Sequence, residues 1–425
     1  MAKTEKRKRV KKRYSRKMRG GANYNPSTKT YSINVAFEFP KNIPVETEIL
    51  VIWNINFDRI PDSIGKLTNL KELIIMQAEF GIKSISPEIG KLTKLERLEL
   101  ADINIGVFPR SITKLTNLKK LNLGNCRITE LPNDIGNLTN LEYLILYSNY
   151  IKNIPDSISK LSKLKVLDLN DNKLTKIPSS IGNLINLEEL YLNMNKLTEI
   201  SVSIGNLSKL TLLELNHSHI TNIPDTIGNL TNLQKLYLNN NNLTNIPDSI
   251  GNLTNLLQLI LNDNKLTDIP DSIGNLSNLK DLLLNENELT YIPDTIGNLT
   301  NLTALNLENN QLVTLPQSMT NLDKLNNNVN LSGNEYKYMP EDVRKRFAER
   351  LTFLPDPFPT DEWVTNFNTH EMHKKTDRPF HKKLDNDVSS HIFSFLKPRQ
   401  QEEILKSHGV GGRKRKRKTK TRRYK

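Results

Sequence analysis

Leucines recur along this chain in one unvarying frame. From Leu95 the pattern LxxLxLxxN returns at Leu118, Leu141, Leu164, Leu187, Leu210, Leu233, Leu256, Leu279 and Leu302, 23 residues apart at every step. Looser copies begin at Thr47 and Leu70, and NNNVNLSGN closes the series, which makes thirteen. Within a copy the LxL alternation predicts a short strand, because successive strand residues face opposite ways: the leucines turn inward and the residues between them face out. The remainder, IPDSIGNLTNL at 246–256 with close copies from 60, 131, 154, 223, 269 and 292, predicts a return leg. Ile and Pro set an extended approach, Asp or Ser is expected to cap a short helical turn, Gly permits tight packing, and the last Leu opens the next strand.

One such coil buries little, but stacked coils cover one another's Leu and Ile. Each fully buried side chain is worth roughly 1.5–3 kcal/mol, so the array needs several copies and capped ends. The Asn that ends the pattern (Asn149, Asn172, Asn195, Asn241, Asn264, Asn287, Asn310, Asn334) falls where the chain turns inward, and its amide is expected to satisfy backbone groups of adjoining coils. Cys126 and Ser218 occupy the same position and read as small buried replacements. Ala78 and Ile103 have no such hydrogen-bonding capacity, so the first copies are expected to be the least regular.

This grammar resembles the leucine-rich-repeat superfamily, in particular the 23-residue intracellular class of Scribble-like and plant Ras-group-related proteins, over about residues 47–334. The resemblance implies an α/β solenoid: a curved array with parallel strands on the concave face and short helical turns or extended segments on the convex face. It implies no particular partner.

The outward strand positions form rows, of which the central one reads Ile74, Glu99, Asn122, Ile145, Asp168, Tyr191, Glu214, Tyr237, Ile260, Leu283 and Asn306. With Tyr143, Tyr147, Val166 and Leu212 in neighbouring rows, the middle and later coils are expected to expose tyrosines and aliphatics, the side chains that supply binding hot spots. The candidate partner-binding set is Tyr143, Ile145, Tyr147, Asp168, Tyr191, Glu214, Tyr237, Ile260 and Leu283. Tyr191 and Tyr237 are expected to be surface anchors whose loss weakens binding and leaves stability nearly unchanged. Asn193, Asn216, Asn239, Asn262 and Asn285 make a polar row beside them. Acids (Asp168, Asp171, Glu188, Glu189, Glu214) outnumber bases here, which suits a basic protein partner and disfavours nucleic acid.

Charge changes the picture at the ends. Residues 1–20 carry 11 Lys/Arg against Glu5, and residues 413–425 carry 10 with no acid. These ends contribute +20 to a net +14, so the body between them carries −6. Such arms are too charged to fold alone and are candidates for binding an import receptor or nucleic acid. A single cysteine excludes an internal disulfide framework, and the first 30 residues hold no apolar stretch suited to a signal peptide, so an intracellular protein of cytoplasm or nucleus is expected. No run approaches the ~18 apolar residues of a membrane span, so no membrane partner is expected. The NLT and NLS triplets read as repeat grammar and not as glycosylation sites.

Catalytic grammar is absent: no Gly-rich phosphate loop, no HExxH, no paired-Cys spacing. HEMH at 370–373 with His381 lacks a third ligand at a defined distance. No metal, cofactor or enzyme activity is expected, and a monomer is.

Past the array, MPEDVRKRFAERLTFLP predicts a capping helix, with Pro340 at a first-turn position, Glu341 and Asp342 next, and Val343, Phe347 and Leu351 on one face. A polar, Pro-punctuated linker follows to 383. The segment LDNDVSSHIFSFLKP then resembles the first helix of an F-box, matching at Leu384, Val388, Ile392, Phe393, Ser394, Phe395, Leu396 and Pro398. A truncated F-box at the C-terminal end resembles poxviral ankyrin-repeat proteins, and the basic, Asn-rich ends are similar in style to proteins of large DNA viruses. The resemblance implies a ubiquitin-ligase adaptor as partner. The expected organisation is a basic arm (1–20), an N-terminal cap (21–46), the array (47–334), a cap helix and linker (335–383), the F-box-like segment (384–408) and a second basic arm (409–425). Three functions fit: a protein-binding scaffold, a substrate receptor of a cullin-type ligase, and a nucleic-acid-associated structural protein.

Overall fold

A computed structural model describes residues 22–34, 38–53, 57–76, 82–325, 328–350 and 356–357. The expected strands are present and stack in chain order into one 15-stranded sheet. Its first two strands, Ala22–Asn25 and Thr30–Ile33, form an antiparallel hairpin. All later neighbours are parallel, beginning with Thr30–Ile33 against Ile49–Trp53. The strands Ile49–Trp53 and Glu72–Met76 are five residues long; those from Arg97–Glu99 to Ala304–Asn306 shorten to three. Register follows the repeat, as Leu167 pairs with Leu190 and Leu190 with Leu213. These leucines are fully buried and belong to one continuous core that runs from Phe39 to Phe347. The fold is the expected solenoid.

Each return leg holds a five-residue 3-10 turn, such as Asp248–Asn252, whose Ile250 is buried. Here the sequence expectation needs correction. Pro247 and its equivalents occupy the cap position in extended conformation, and neither Asp nor Ser caps the turn through its side chain. The exception is Ser86, which accepts from Glu88 N at 3.2 Å. Asp248 instead stands in the first turn, where a negative charge complements the exposed backbone N–H groups. Glycine is needed for the reason expected: a Cβ on Gly251 would lie 2.6 Å from the Ser272 carbonyl oxygen of the next coil.

The buried Asn ladder also forms. Asn195 Nδ2 donates to Leu169 O at 3.0 Å and Leu192 O at 2.9 Å, while its Oδ1 accepts from Leu174 N at 2.9 Å. The residue before each ladder position, from Asn125 to Asn309, has positive φ, which turns the chain inward. Cys126 is buried on the same ladder and its Sγ donates to Leu100 O at 3.1 Å. Burial pushes that thiol up to about 12. Ser218 is buried as well, but its hydroxyl finds no partner. Ile103 is buried, and Ala78 lies outside the described residues. A second Asn ladder went unread in the sequence: the Asn of each LTN or LSN step reaches back one coil, as Asn255 Nδ2 does to Thr231 O at 2.9 Å and Asn278 to Thr254 O at 2.9 Å. Its signal was the same 23-residue recurrence.

Helix α1 (Glu341–Phe347) closes the array, with Pro340 at its cap and Val343 and Phe347 buried. Arg346 donates to Leu322 O at 2.7 Å and also to Thr320 O, satisfying carbonyls at the end of the 3-10 turn Gln317–Asn321. Leu351, the HEMH segment, the F-box-like residues 384–398 and both basic arms lie outside the described residues.

Candidate functional site

The parallel register aligns the central row as expected, Ile145 beside Asp168, Asp168 beside Tyr191, Tyr191 beside Glu214, and so on to Asn306. Depth within the row is a separate matter. Tyr143 is 37% exposed, and Ile145, Asp168, Glu214, Tyr237, Ile260 and Leu283 are half-buried. Tyr191, expected as an exposed anchor, is only 6% exposed. Its hydroxyl donates to Glu189 Oε2, two residues back on the same strand. Burial, followed by the Glu189 hydrogen bond and the charges of Glu189, Glu214 and Asp168, pushes the phenol above its ordinary range. Tyr191 is therefore a structural member of the face, and its loss must cost stability.

Tyr147 lies over the neighbouring coil's Gly124, where any Cβ would run into the ring. Together Tyr143, Ile145, Tyr147 and Val166 make an apolar shelf on two adjacent coils. Further along, Tyr237 Oη donates to Gln258 Oε1 at 2.6 Å, and Gln258 Nε2 donates to Asp281 Oδ2 at 2.5 Å. Burial, then the charges of Glu214 and Asp281, raise the Tyr237 phenol too. Glu189, Gln258 and Asp281 were missed in the candidate set. All three fall in the row next to the central one, at positions related by the repeat.

Charge is distributed unevenly along the face. Near its start acids are paired: Glu48 meets Lys29 at 2.7 Å and Lys71 at 2.6 Å. The nearly buried carboxylate of Glu99 meets Arg97 at 2.8 Å and Lys120 at 2.6 Å. Beyond Lys165, which meets Glu142 at 2.8 Å, the acids Asp171, Glu188 and Glu189 form no ion pair among the described residues. In the Asn row, Asn239 Nδ2 donates to Asn240 Oδ1 at 2.7 Å and Asn262 Nδ2 to Asp263, whereas the Asn193 side-chain oxygen is buried without a hydrogen-bond partner among the described residues.

Among the described residues no three His, Cys, Asp or Glu side chains gather where they could hold a metal, and no helix is long and apolar enough to cross a membrane.

Comparison with known proteins agrees with this geometry. Residues 108–202 and 193–286 match the family described as leucine-rich repeat region, and 301–322 match leucine rich repeat. Over these residues the coils match leucine-rich repeats. Among solved structures, this array is similar to an internalin from Listeria monocytogenes (27% identity, 73% of this chain and 87% of that one, TM-score 0.60). It is also similar to a TDR receptor (30% identity, 76% and 61%, TM-score 0.60) and to the Arabidopsis receptor kinase HAESA, solved with a peptide hormone and a co-receptor (28% identity, 76% and 60%, TM-score 0.58). A mouse leucine-rich repeat serine/threonine-protein kinase is 32% identical over 75 residues, 18% of this chain. The match spans 4% of that kinase.

Proposed function

We propose that this protein is a non-enzymatic interaction scaffold whose strand face holds an extended, basic segment of a protein partner. Leucine-rich-repeat arrays are protein-interaction modules, and the HAESA structure holds a peptide hormone. The observation that carries the reading is the juxtaposition of the Tyr143–Ile145–Tyr147–Val166 shelf with the carboxylates of Glu188 and Glu189, with which no lysine or arginine of the described residues forms an ion pair. An aliphatic or aromatic anchor with Lys or Arg two to four residues away would satisfy both parts. Asp168 and Glu214 add negative charge between and beyond them, and the same charge repels phosphate backbones from this face. Ile260 and Leu283 extend the apolar surface toward the later coils.

The test is affinity purification from cells followed by measured binding of the recovered partner. Tyr143→Ala with Ile145→Ala should weaken binding at least about tenfold with little change in Tm, since both are partly exposed. Unchanged affinity overturns the assignment of this face. The same purification separates two further proposals, a ligase adaptor held by residues 384–398 and nucleic acid or an import receptor held by the arms. Recovery of cullin-type components, lost on Ile392→Asp, would favour the first; salt-sensitive nucleic acid would favour the second.

A further inference from the structure

Just before each strand stands a position whose sign alternates from coil to coil: Glu48, Lys71, Glu96, Lys119, Glu142, Lys165, Glu188. The lysines each pair with the acid of the preceding coil, Lys71 with Glu48 at 2.6 Å, Lys119 with Glu96 at 2.8 Å and Lys165 with Glu142 at 2.8 Å. Glu188 ends the series. Thr211 occupies the place of the next lysine, and Glu188 is exposed without an ion pair among the described residues. Beside it Glu189 accepts the Tyr191 hydroxyl and has no cationic partner there either.

We propose that this open part of the strand face is occupied in cis by the chain's own N-terminal basic segment, KRKRVKK at residues 6–12, which competes with the partner segment. This rests on the reading of the face given above and adds its regulation. The argument is one of charge and reach. Residues 6–12 hold six Lys/Arg and one apolar residue, Val10, so they carry cations of the kind with which Glu188 and Glu189 form no ion pair among the described residues. The arm enters at Ala22, on the edge strand of the sheet, and eight strand steps separate that strand from Glu189–Tyr191. At about 4.8 Å per step the separation is about 38 Å. An extended chain covers at most ~3.5 Å per residue, so about eleven residues are needed. Residues near Lys11 and earlier therefore reach Glu188 and Glu189, while Arg16, Lys17 and Arg19 fall far short. Nearer the entry point, Glu48 and Glu99 already have two cationic partners each, and Glu72, Glu96 and Glu142 have one. Glu188 and Glu189 are thus carboxylates that the most cationic stretch of the arm can both reach and neutralise.

Zero-length carbodiimide cross-linking of the full-length protein at low salt, read by peptide mass spectrometry, tests this. The expected result is intramolecular links from Lys6, Lys8 or Lys11 to Glu188 or Glu189, none from Lys17, and their loss in Glu188→Gln/Glu189→Gln and at 0.5 M salt, a concentration that shortens the screening length to roughly 4 Å. In parallel, a labelled synthetic peptide of residues 1–20 is titrated onto the full chain and onto its Lys6→Gln/Arg7→Gln/Lys8→Gln/Arg9→Gln variant, which should bind the peptide about tenfold more tightly because the tethered competitor is gone. Links only between molecules, links only from lysines 414–425, or no links overturn docking in cis. If the peptide binds both chains equally well, cis docking fails and the partner-binding face stands. If it binds neither, both readings fall.

Discussion

Ser218→Asn should stabilise the array, because the backbone at this position is already shaped for asparagine. His217 has φ 56°, the value found at Asp263 ahead of Asn264, and Ser218 N donates to Asn240 O at 3.2 Å much as Asn264 N donates to Glu286 O at 3.1 Å. Only the side chain is missing. At Asn264 the amide donates to Leu238 O and Leu261 O, both at 3.0 Å, and accepts from Leu243 N at 3.0 Å. The register places Leu192 O, Leu215 O and Leu197 N at the corresponding points around position 218, where the serine hydroxyl is buried and unpartnered. Each buried hydrogen bond contributes about 0.5–1.5 kcal/mol net. Three of them, less the cost of fixing a longer side chain of about 1 kcal/mol, leave a gain of about 1–3 kcal/mol. Differential scanning calorimetry and urea unfolding measure it, and at ~2–4 °C per kcal/mol the melting temperature should rise by several degrees. The reverse change, Asn195→Ser, should lower stability by a comparable amount. A Ser218→Asn variant that melts at or below the parent temperature would refute the claim that ladder amides stabilise the stack.

Four further outcomes are expected. Leu215→Ala, at a fully buried position, should cost about 2–5 kcal/mol in urea unfolding. Gly251→Ala drives a Cβ against the Ser272 carbonyl and should cost about 1–3 kcal/mol, whereas Gly106→Ala meets no neighbouring atom and is limited to the strain of its positive φ; equal losses at the two sites would contradict the packing argument. Cys126, with its thiol pushed up to about 12 by burial, should resist iodoacetamide at pH 8 in the folded protein and react after unfolding in urea. Glu48 is held down to about 2 by hydrogen bonds from Lys29 and Lys71. A depressed carboxyl stabilises the folded state above its unfolded value near 4.5 and ceases to do so as pH falls through about 2, so Glu48→Gln should flatten the pH dependence of unfolding between those limits.

Much of this protein was legible in its sequence because its determinants are local and periodic. The strands, their parallel register, the inward leucines, the buried Asn ladder and the burial of Cys126 all follow from a 23-residue frame that stacks each backbone position on its equivalent one coil away. The frame also settled which residues share the strand face, since alternation decides the side on which a residue stands. Alternation does not decide depth, and there the tertiary structure was needed. Two members of the central row show the difference. Ile145 stays half-buried, while Tyr191, in the same register, is buried by its neighbours and tied to Glu189.

The other departures have the same origin. The cap position of most 3-10 turns went to proline, Ser86 and Ser201 excepted, because the stacked coil already fixes an extended approach there, which leaves an Asp that follows, as Asp248 does, to act through its charge. The unpartnered Ser218 hydroxyl, the ring of Tyr147 over Gly124 and the carboxylates of Glu188 and Glu189 without ion pairs among the described residues depend on what the adjoining coil places within a few ångströms. A repeat sequence states which residues become neighbours. How far each side chain reaches, and what it meets, is decided only when the coils are stacked.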